Sequence, residues 1–195
     1  MFRVPFFIAI ALVIAYGGGI LSTQSALNAS EGLGAIRIGA WSAFPDAQTV
    51  EADPYAKAHR ATAGRLLYGS AEGLVFSART DETGLQLTGT CSYRLSGRTP
   101  AARYWTLYAA TPDGLPLPRR EGLPFGYNSQ TVLRKPDGSF DISISPTAKP
   151  GNWLSLPDIG PFQLVLTLLD TPAAASTGVS GLEMPEIVLE GCGNA

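Results

Sequence analysis

Carboxylates are the most numerous side chains in this sequence that could perform acid–base chemistry. Glycoside hydrolysis needs two of them across a cleft, roughly 5–9.5 Å apart. Among the 16 Asp and Glu residues, many fall in turn sequences, whereas Asp141 and Asp170 lie in or beside predicted strands. These two are the candidates for a catalytic pair, although solvated acids on a strand face would give the same pattern.

Other reactive side chains are few. His59 is the single histidine, it falls on a predicted helix, and no G-x-S-x-G nucleophile motif accompanies it. One histidine and two distant cysteines do not supply the ligands of a structural zinc site, so we predict no metal and no cofactor. The formal net charge is -2 and no basic block occurs, which argues against a nucleic-acid-binding protein.

Aromatic, arginine and asparagine side chains form a second set of candidates. On a sheet they could build a cleft that stacks on sugar rings or apolar ligands. The residues of this set are Arg103, Trp105, Tyr108, Tyr127, Asn128, Asn152 and Trp153. Because side chains alternate along a strand, Trp105 and Tyr108 should lie on opposite faces. The alternative interpretation is that one of these faces is core and that Trp153 closes the end of the fold.

The elements that must position these residues begin with an apolar N-terminal segment. Residues 4–21 contain no charge, and as a helix they span about 27 Å, close to the roughly 30 Å of a bilayer's hydrocarbon core. We predict a membrane anchor over residues 1–22, a short stalk over 23–34 and a domain over 35–195. A cleaved signal peptide is the alternative, although no clear A-x-A site follows Leu21.

The positive charges and the cysteines indicate where the domain lies. Arg3 precedes the span and the next basic residue is Arg37. Since basic residues stay on the cytoplasmic side, we predict a single-pass inner-membrane protein with its N-terminus inside and its domain in the periplasm. Cys91 and Cys192 would then lie where disulfides persist, and we expect them to pair. Two unrelated thiols are the alternative.

The rest of the chain is predicted to be mainly β. Asp53 as N-cap, Pro54 at the first helical position and Gly64 as the stop indicate one short helix. Residues 39–45 have neither helical nor strand period. The strand patterns cover residues 74–80, 90–95, 103–109, 130–134, 139–144, 161–169 and 186–189. These short strands, with 22 Gly and 15 Pro, predict an antiparallel jelly-roll-like sandwich preceded by one transmembrane helix.

Several segments of the chain resemble a known bacterial family. They are Tyr104-Trp105-Thr106-Leu107-Tyr108, Tyr127-Asn128-Ser129, and above all Gly151-Asn152-Trp153-Leu154 followed by Gly160-Pro161-Phe162. Together they are similar to the domain of unknown function 1214 over roughly residues 94–171. Longer members carry this domain behind another one, numbered 1254, and short ones are membrane-anchored. The resemblance implies a jelly-roll-like fold and supplies no catalytic residue.

The function expected from the sequence is that of a membrane-anchored module of the cell envelope, non-catalytic, with a binding or structural role. Its expected partners are the membrane, through the single span, and an envelope glycan, a lipid or another membrane protein. The alternative is a carbohydrate-active hydrolase that uses Asp141 and Asp170.

Overall fold

The computed structural model describes residues 3–30, 36–45, 52, 54, 57–58, 61, 73–118, 121–157, 159–174 and 182–193. It begins with helix α1, Arg3–Ser30. The part of α1 from Arg3 to Thr23 is long and apolar enough to cross a membrane, and none of it is buried against the rest of the protein. Side chains such as Val13 and Ile14, 72% and 67% exposed, therefore have no protein core to enter. A signal sequence has the same properties.

The strands among the remaining described residues form two sheets. In chain order they are β1 Ile36–Ile38, β2 Trp41–Ala43, β3 Gly73–Ala78, β4 Cys91–Gly97, β5 Tyr104–Ala110, β6 Gly126–Asn128, β7 Phe140–Ser145, β8 Asn152–Ser155, β9 Gln163–Leu169 and β10 Glu186–Cys192. The order in the six-stranded sheet is β1-β2-β3-β9-β5-β6, and in the four-stranded sheet β10-β4-β7-β8. The prediction of a mainly β sandwich behind one apolar helix is confirmed, and its jelly-roll connectivity stays a prediction.

The core lies between the inner faces of the two sheets. Alternation along β5 and β7 buries Trp105 and Leu107 from one sheet and Phe140 and Ile142 from the other, each at most 2% exposed. The rings of Trp105 and Phe140 lie 5.4 Å apart at one end of the sandwich. Tyr93 of β4 and Phe162, just before β9, make an edge-to-face contact at 6.0 Å. These aromatic contacts fix how one sheet lies on the other.

One pair of strands departs from the predicted antiparallel arrangement. β7 and β8 run parallel, with Ser143 opposite Trp153, whereas the other strand pairs are antiparallel. Residues 146–151 return the chain to the start of β8, where Gly151 adopts a φ of 79° that favours glycine. The indole N–H of Trp153 donates to the carbonyl of Ser145 and ties the returning strand to the end of β7.

Two local predictions are wrong, and some short strands were not predicted. Residues 130–134 form a turn, because the Asn128 side chain accepts the N–H groups of Gln130 and Thr131 and supplies a local alternative to strand pairing. Residues 39–45, predicted to be irregular, contain β2, which pairs with β1 through a two-residue turn at Gly39 with φ 56°. Strands β6 and β8 were not predicted, since three or four residues show too little alternation.

The predicted helix and the cysteine pair have different outcomes. Pro54, Lys57, Ala58 and Ala61 are helical, and the other residues of that helix, with His59, lie outside the described residues. The expected disulfide is confirmed. Cys91 and Cys192 are bonded and stand opposite each other in β4 and β10. The bond ties the last strand of the chain to an inner strand of the four-stranded sheet.

Candidate functional site

The two candidate catalytic carboxylates lie on different sheets. Asp141 is in β7 of the four-stranded sheet, and its carboxylate pairs with Lys135 Nζ at 2.7 Å. Asp170 follows β9 of the six-stranded sheet and lies 3.6 Å from the Arg103 guanidinium. Among the described residues no contact joins the two acids, and no cluster of His, Cys, Asp and Glu could hold a metal ion. The hydrolase alternative therefore stays a prediction.

The predicted ligand-binding residues fall into separate places. Trp105 is 2% exposed and belongs to the core, as the alternative interpretation had it. Its ring lies 5.9 Å from the guanidinium carbon of Arg134, which covers this end of the core. Tyr108 lies on the opposite face of β5, where its ring stacks on Phe125 at 5.6 Å. Arg103 stands before β5, paired with Asp170, so no single cleft unites the set.

Three of the predicted residues do come together, where strand β6 of one sheet approaches strand β8 of the other. Tyr127, Asn152 and Trp153 form this contact, which we name the β6–β8 seam. The Tyr127 hydroxyl accepts the backbone N–H of Trp153 at 2.7 Å and lies 3.2 Å from the carbonyl oxygen of the same residue. The Tyr127 hydroxyl thus satisfies the backbone groups of Trp153 that a neighbouring strand would otherwise bond at the edge of β8.

Asn152 supplies the second half of the seam. Its side-chain oxygen accepts the N–H of Leu133, and its amide nitrogen donates to the carbonyls of Leu133 and Asp141, all at 2.8 Å. The residue is 7% exposed. One buried amide therefore pairs the 130–134 turn with β7 and β8, and these three bonds explain an Asn at this position of the motif without requiring a ligand.

Substitution of Tyr127 by Phe tests the seam. The change keeps the ring but leaves the half-buried N–H and C=O of Trp153 without the hydroxyl, so we expect a loss of about 1–2 kcal/mol in the free energy of unfolding. Urea denaturation of the purified full chain measures it. Tyr104→Phe is the matched control, since that hydroxyl bonds no described residue and its ring is half-buried. Equal effects of the two changes would contradict a special role for Tyr127.

The opposite side of the sandwich is closed by residues that the sequence did not single out. The backbone N–H of Glu82 donates to the carbonyl of Ile187, and its carboxylate accepts the N–H of Ile187 at 3.4 Å. Nearby, the buried indole N–H of Trp41 donates to the carbonyl of Pro185 at 2.7 Å. Glu82, which follows β3, thus bonds the free edge of β10 at Ile187, and Trp41 of β2 bonds the residue just before β10. A tryptophan in an otherwise patternless stretch was the only signal in the sequence.

Asp81, next to Glu82, organises this loop. The carboxylate is 2% exposed, and burial alone would raise its pKa. Hydrogen bonds from the Thr83 hydroxyl and from the N–H groups of Leu85, Thr83 and Gly84 outweigh burial and hold the pKa of Asp81 below its ordinary value. In the turn at residues 135–139, the Ser139 hydroxyl and N–H likewise lower the pKa of exposed Asp137.

Asp81 makes the stability of the fold sensitive to acid. Because its pKa is lower in the folded state than the roughly 3.9 of an unfolded chain, it stabilises the fold fully above that value. Its contribution is lost as the pH falls through the folded pKa. We expect the urea midpoint to drop as the pH falls below about 4, and Asp81→Asn to reduce that drop. A variant with the same acid sensitivity as the wild type would exclude Asp81 as a source.

The comparisons with known proteins bear on the fold of this chain and not on its function. The crystal structure of the VPA0106 protein from Vibrio parahaemolyticus is similar to this one, with a TM-score of 0.57 and 20% sequence identity. The match covers 71% of this chain and 36% of the Vibrio protein, and it shows a shared fold. An uncharacterized protein from Burkholderia cenocepacia covers 61% of this chain and 29% of its own, with a TM-score of 0.39 and 21% identity, and carries no structural argument. The chain thus spans about a third of the length of these two proteins.

The search of curated proteins finds no match. The family described as "Protein of unknown function (DUF1214)" matches residues 72–173, a range that contains β3 to β9 and the whole β6–β8 seam. Since this range is more than half of the chain, the chain belongs to the DUF1214 family of proteins of unknown function.

Proposed function

We propose that this protein is a membrane-anchored module of the bacterial cell envelope that holds a non-catalytic β-sandwich in the periplasm. The observation that carries the proposal is that one chain contains both an unburied apolar helix and a disulfide-bonded domain. Such a helix is stable in lipid, and such a bond persists in an oxidising compartment. Each feature supports the same location by an independent argument.

The charges beside α1 support the orientation. Arg3 stands at the start of the helix, and the next basic residue along the chain is Arg37 in β1. Under the positive-inside rule this asymmetry favours a cytoplasmic N-terminus. A cytoplasmic N-terminus with one span leaves the sandwich on the other side, in agreement with the disulfide.

The seam supports a non-catalytic role. The motif residues Tyr127 and Asn152 direct their polar atoms at backbone groups of this same chain, so they have structural work that accounts for their types. The acids Asp141 and Asp170 are each paired with a cation on separate sheets. A non-catalytic module that binds or supports another molecule is compatible with polar residues that are bonded within the fold and acids that are paired with cations.

Fusions at the C-terminus test the location. Alkaline phosphatase, which is active only outside the cytoplasm, should be active when fused to the full chain, and a fluorescent protein that folds only in the cytoplasm should stay dark. The fused protein should sediment with membranes, and the intact mass of the unfused chain should correspond to the full 20.5 kDa. A bright, phosphatase-inactive pair would overturn the proposed orientation, and a shortened N-terminus would overturn the uncleaved anchor.

A charge in the span provides the matched comparison. Ile14 lies near the middle of the span and is 67% exposed. A charged side chain at the centre of a span costs about 2.5–3.5 kcal/mol in insertion, so Ile14→Arg should shift the chain out of the membrane fraction. Ile14→Leu should leave it there. Equal distribution of the two variants would show that α1 is not the anchor.

A further inference from the structure

The outer face of the four-stranded sheet carries a pattern that the proposed function does not use. Among the side chains that its strands point away from the core are one tryptophan, two charged groups and four serines. We name this surface the serine face, and its members are Ser92, Arg94, Ser96, Asp141, Ser143, Ser145 and Trp153. Arg94 is exposed, Ser145 is buried at one end, and the others are half-buried.

Strand register sets three of these residues in one row. Arg94 stands opposite Ser143, and Ser143 stands opposite Trp153. Neighbouring strands lie about 4.8 Å apart, so the row spans roughly 10 Å from Arg94 to Trp153. Ser96 stands opposite Asp141 in the adjacent row. The indole is thus the direct neighbour of a hydroxyl, with a guanidinium one strand further on.

Two ion pairs lie on this face. The Arg94 guanidinium pairs with the Glu190 carboxylate, and Asp141 pairs with Lys135. All four side chains remain partly exposed, between 25% and 56%. Glu186 of β10 stands opposite Ser96 and adds an exposed carboxylate to this side of the sheet. The face therefore offers hydrogen-bonding groups that are fixed in place, with two ion pairs and an excess of negative charge.

The hydroxyls divide into two groups. Those of Ser92, Ser145 and Thr147 bond one another at 2.9 and 3.1 Å. The hydroxyls of Ser96 and Ser143 bond nothing among the described residues. Ser143 lies between Trp153 and Arg94 in the row, and Ser96 lies in the adjacent row. Free donors and acceptors therefore stand beside an aromatic ring whose own N–H is already committed to Ser145.

We propose that the serine face binds an uncharged glycan, with one pyranose ring stacked on Trp153 beside Ser143 and a further sugar unit of the same glycan bonded by Ser96 and Arg94. The proposal deepens the proposed function, on which it rests for the compartment in which glycans are met. Sugar rings present an apolar C–H face and a rim of hydroxyls, and an aromatic beside small hydroxyl side chains complements both. The paired charges favour a neutral ligand over an anionic one, since no unbalanced cation is available.

Strand addition by a peptide fits this sheet less well. An added strand needs a free sheet edge, and each edge of this sheet is already bonded at one residue, Trp153 of β8 by Tyr127 and Ile187 of β10 by Glu82. The face carries no such contact across the row of Trp153, Ser143 and Arg94. A face with fixed polar groups around one ring is the arrangement that a stacked sugar requires.

Tryptophan fluorescence tests the proposal directly. The chain has three tryptophans, of which Trp41 and Trp105 are 1% and 2% exposed, so collisional quenching by acrylamide reports mainly on Trp153. The full chain is placed in phosphatidylcholine nanodiscs, because many mild detergents carry sugar head groups. Chitohexaose, cellohexaose and maltohexaose are then added separately at up to millimolar concentration. We expect at least one of the three sugars to protect Trp153 from quenching by acrylamide.

The double variant Ser96→Val with Ser143→Val assigns the effect to the face. Valine suits a strand, and loss of two hydrogen bonds at about 1 kcal/mol each should raise the Kd by roughly 30-fold. Leu115→Ser, at a 66% exposed position outside this sheet, should bind as the wild type does. Absence of protection by all three sugars, or equal protection in the double variant, would overturn the proposal. Neither result bears on the membrane topology, which the fusions test separately.

Discussion

Reduction of the Cys91–Cys192 bond should lower the free energy of unfolding by about 4 kcal/mol, the largest single effect we expect. The bond closes a loop with a sequence separation of 101 residues, and a long loop gains most from closure in the chain-entropy account. For a domain of this size the loss corresponds to a fall in Tm of about 10 °C. Thermal unfolding of the purified full chain with and without a phosphine reductant measures it.

Serine variants separate the bond from its surroundings. Cys91→Ser, Cys192→Ser and the double variant should all show nearly the same loss, since removal of either sulfur breaks the same bond. Cys91 is 7% exposed and accepts the Thr88 hydroxyl at 3.2 Å, whereas Cys192 is exposed. Any additional loss should therefore appear at position 91. A reductant with no effect on Tm would contradict a stabilising role.

Substitution of Asn152 by Ala should be the second most damaging change, at about 3 kcal/mol. It removes three hydrogen bonds, which leaves the N–H and carbonyl of Leu133 without the amide and takes one partner from the carbonyl of Asp141, at a site that is 7% exposed. Unsatisfied buried groups each cost about 1–3 kcal/mol. Urea denaturation followed by near-UV circular dichroism gives the loss.

Leu133→Ala is the control for this second prediction. The Leu133 side chain is 65% exposed, and its backbone keeps both bonds to Asn152, so a change within about 0.5 kcal/mol is expected. A comparable loss in the two variants would mean that the turn, and not the amide of Asn152, carries the stability. Asn152→Asp adds a further distinction, because a carboxylate can accept from Leu133 but cannot donate to either carbonyl.

Alternating strands were predictable because their inward residues are apolar throughout. Phe140, Ile142 and Ile144 alternate with Asp141 and Ser143, and the structure buries the first set and leaves the second on the outer face. β9 was predictable for a different reason. Its run of apolar residues suits a central strand, and the structure buries both of its faces from Gln163 to Leu168.

The seam was visible in the sequence only as a motif. Tyr127, Asn152 and Trp153 have side chains that could equally bind a ligand or satisfy a buried backbone group, and residue type does not distinguish the two. The decision depends on where β6 and β8 meet, which is a contact between residues about 25 positions apart. The serine face was missed because it needs the register of three strands, of which β8 runs parallel to its neighbour.

The occupied edges of the four-stranded sheet matter for many copies held in one plane. Anchored proteins are confined to two dimensions, where encounters between identical surfaces are frequent. A bare strand edge would let such copies pair edge to edge and grow into a stack. Tyr127 and Glu82 place their own polar atoms on those edges. If the proposed anchor holds many copies in one membrane, we expect the same contacts that close each sandwich to reduce pairing between the edges of neighbouring molecules.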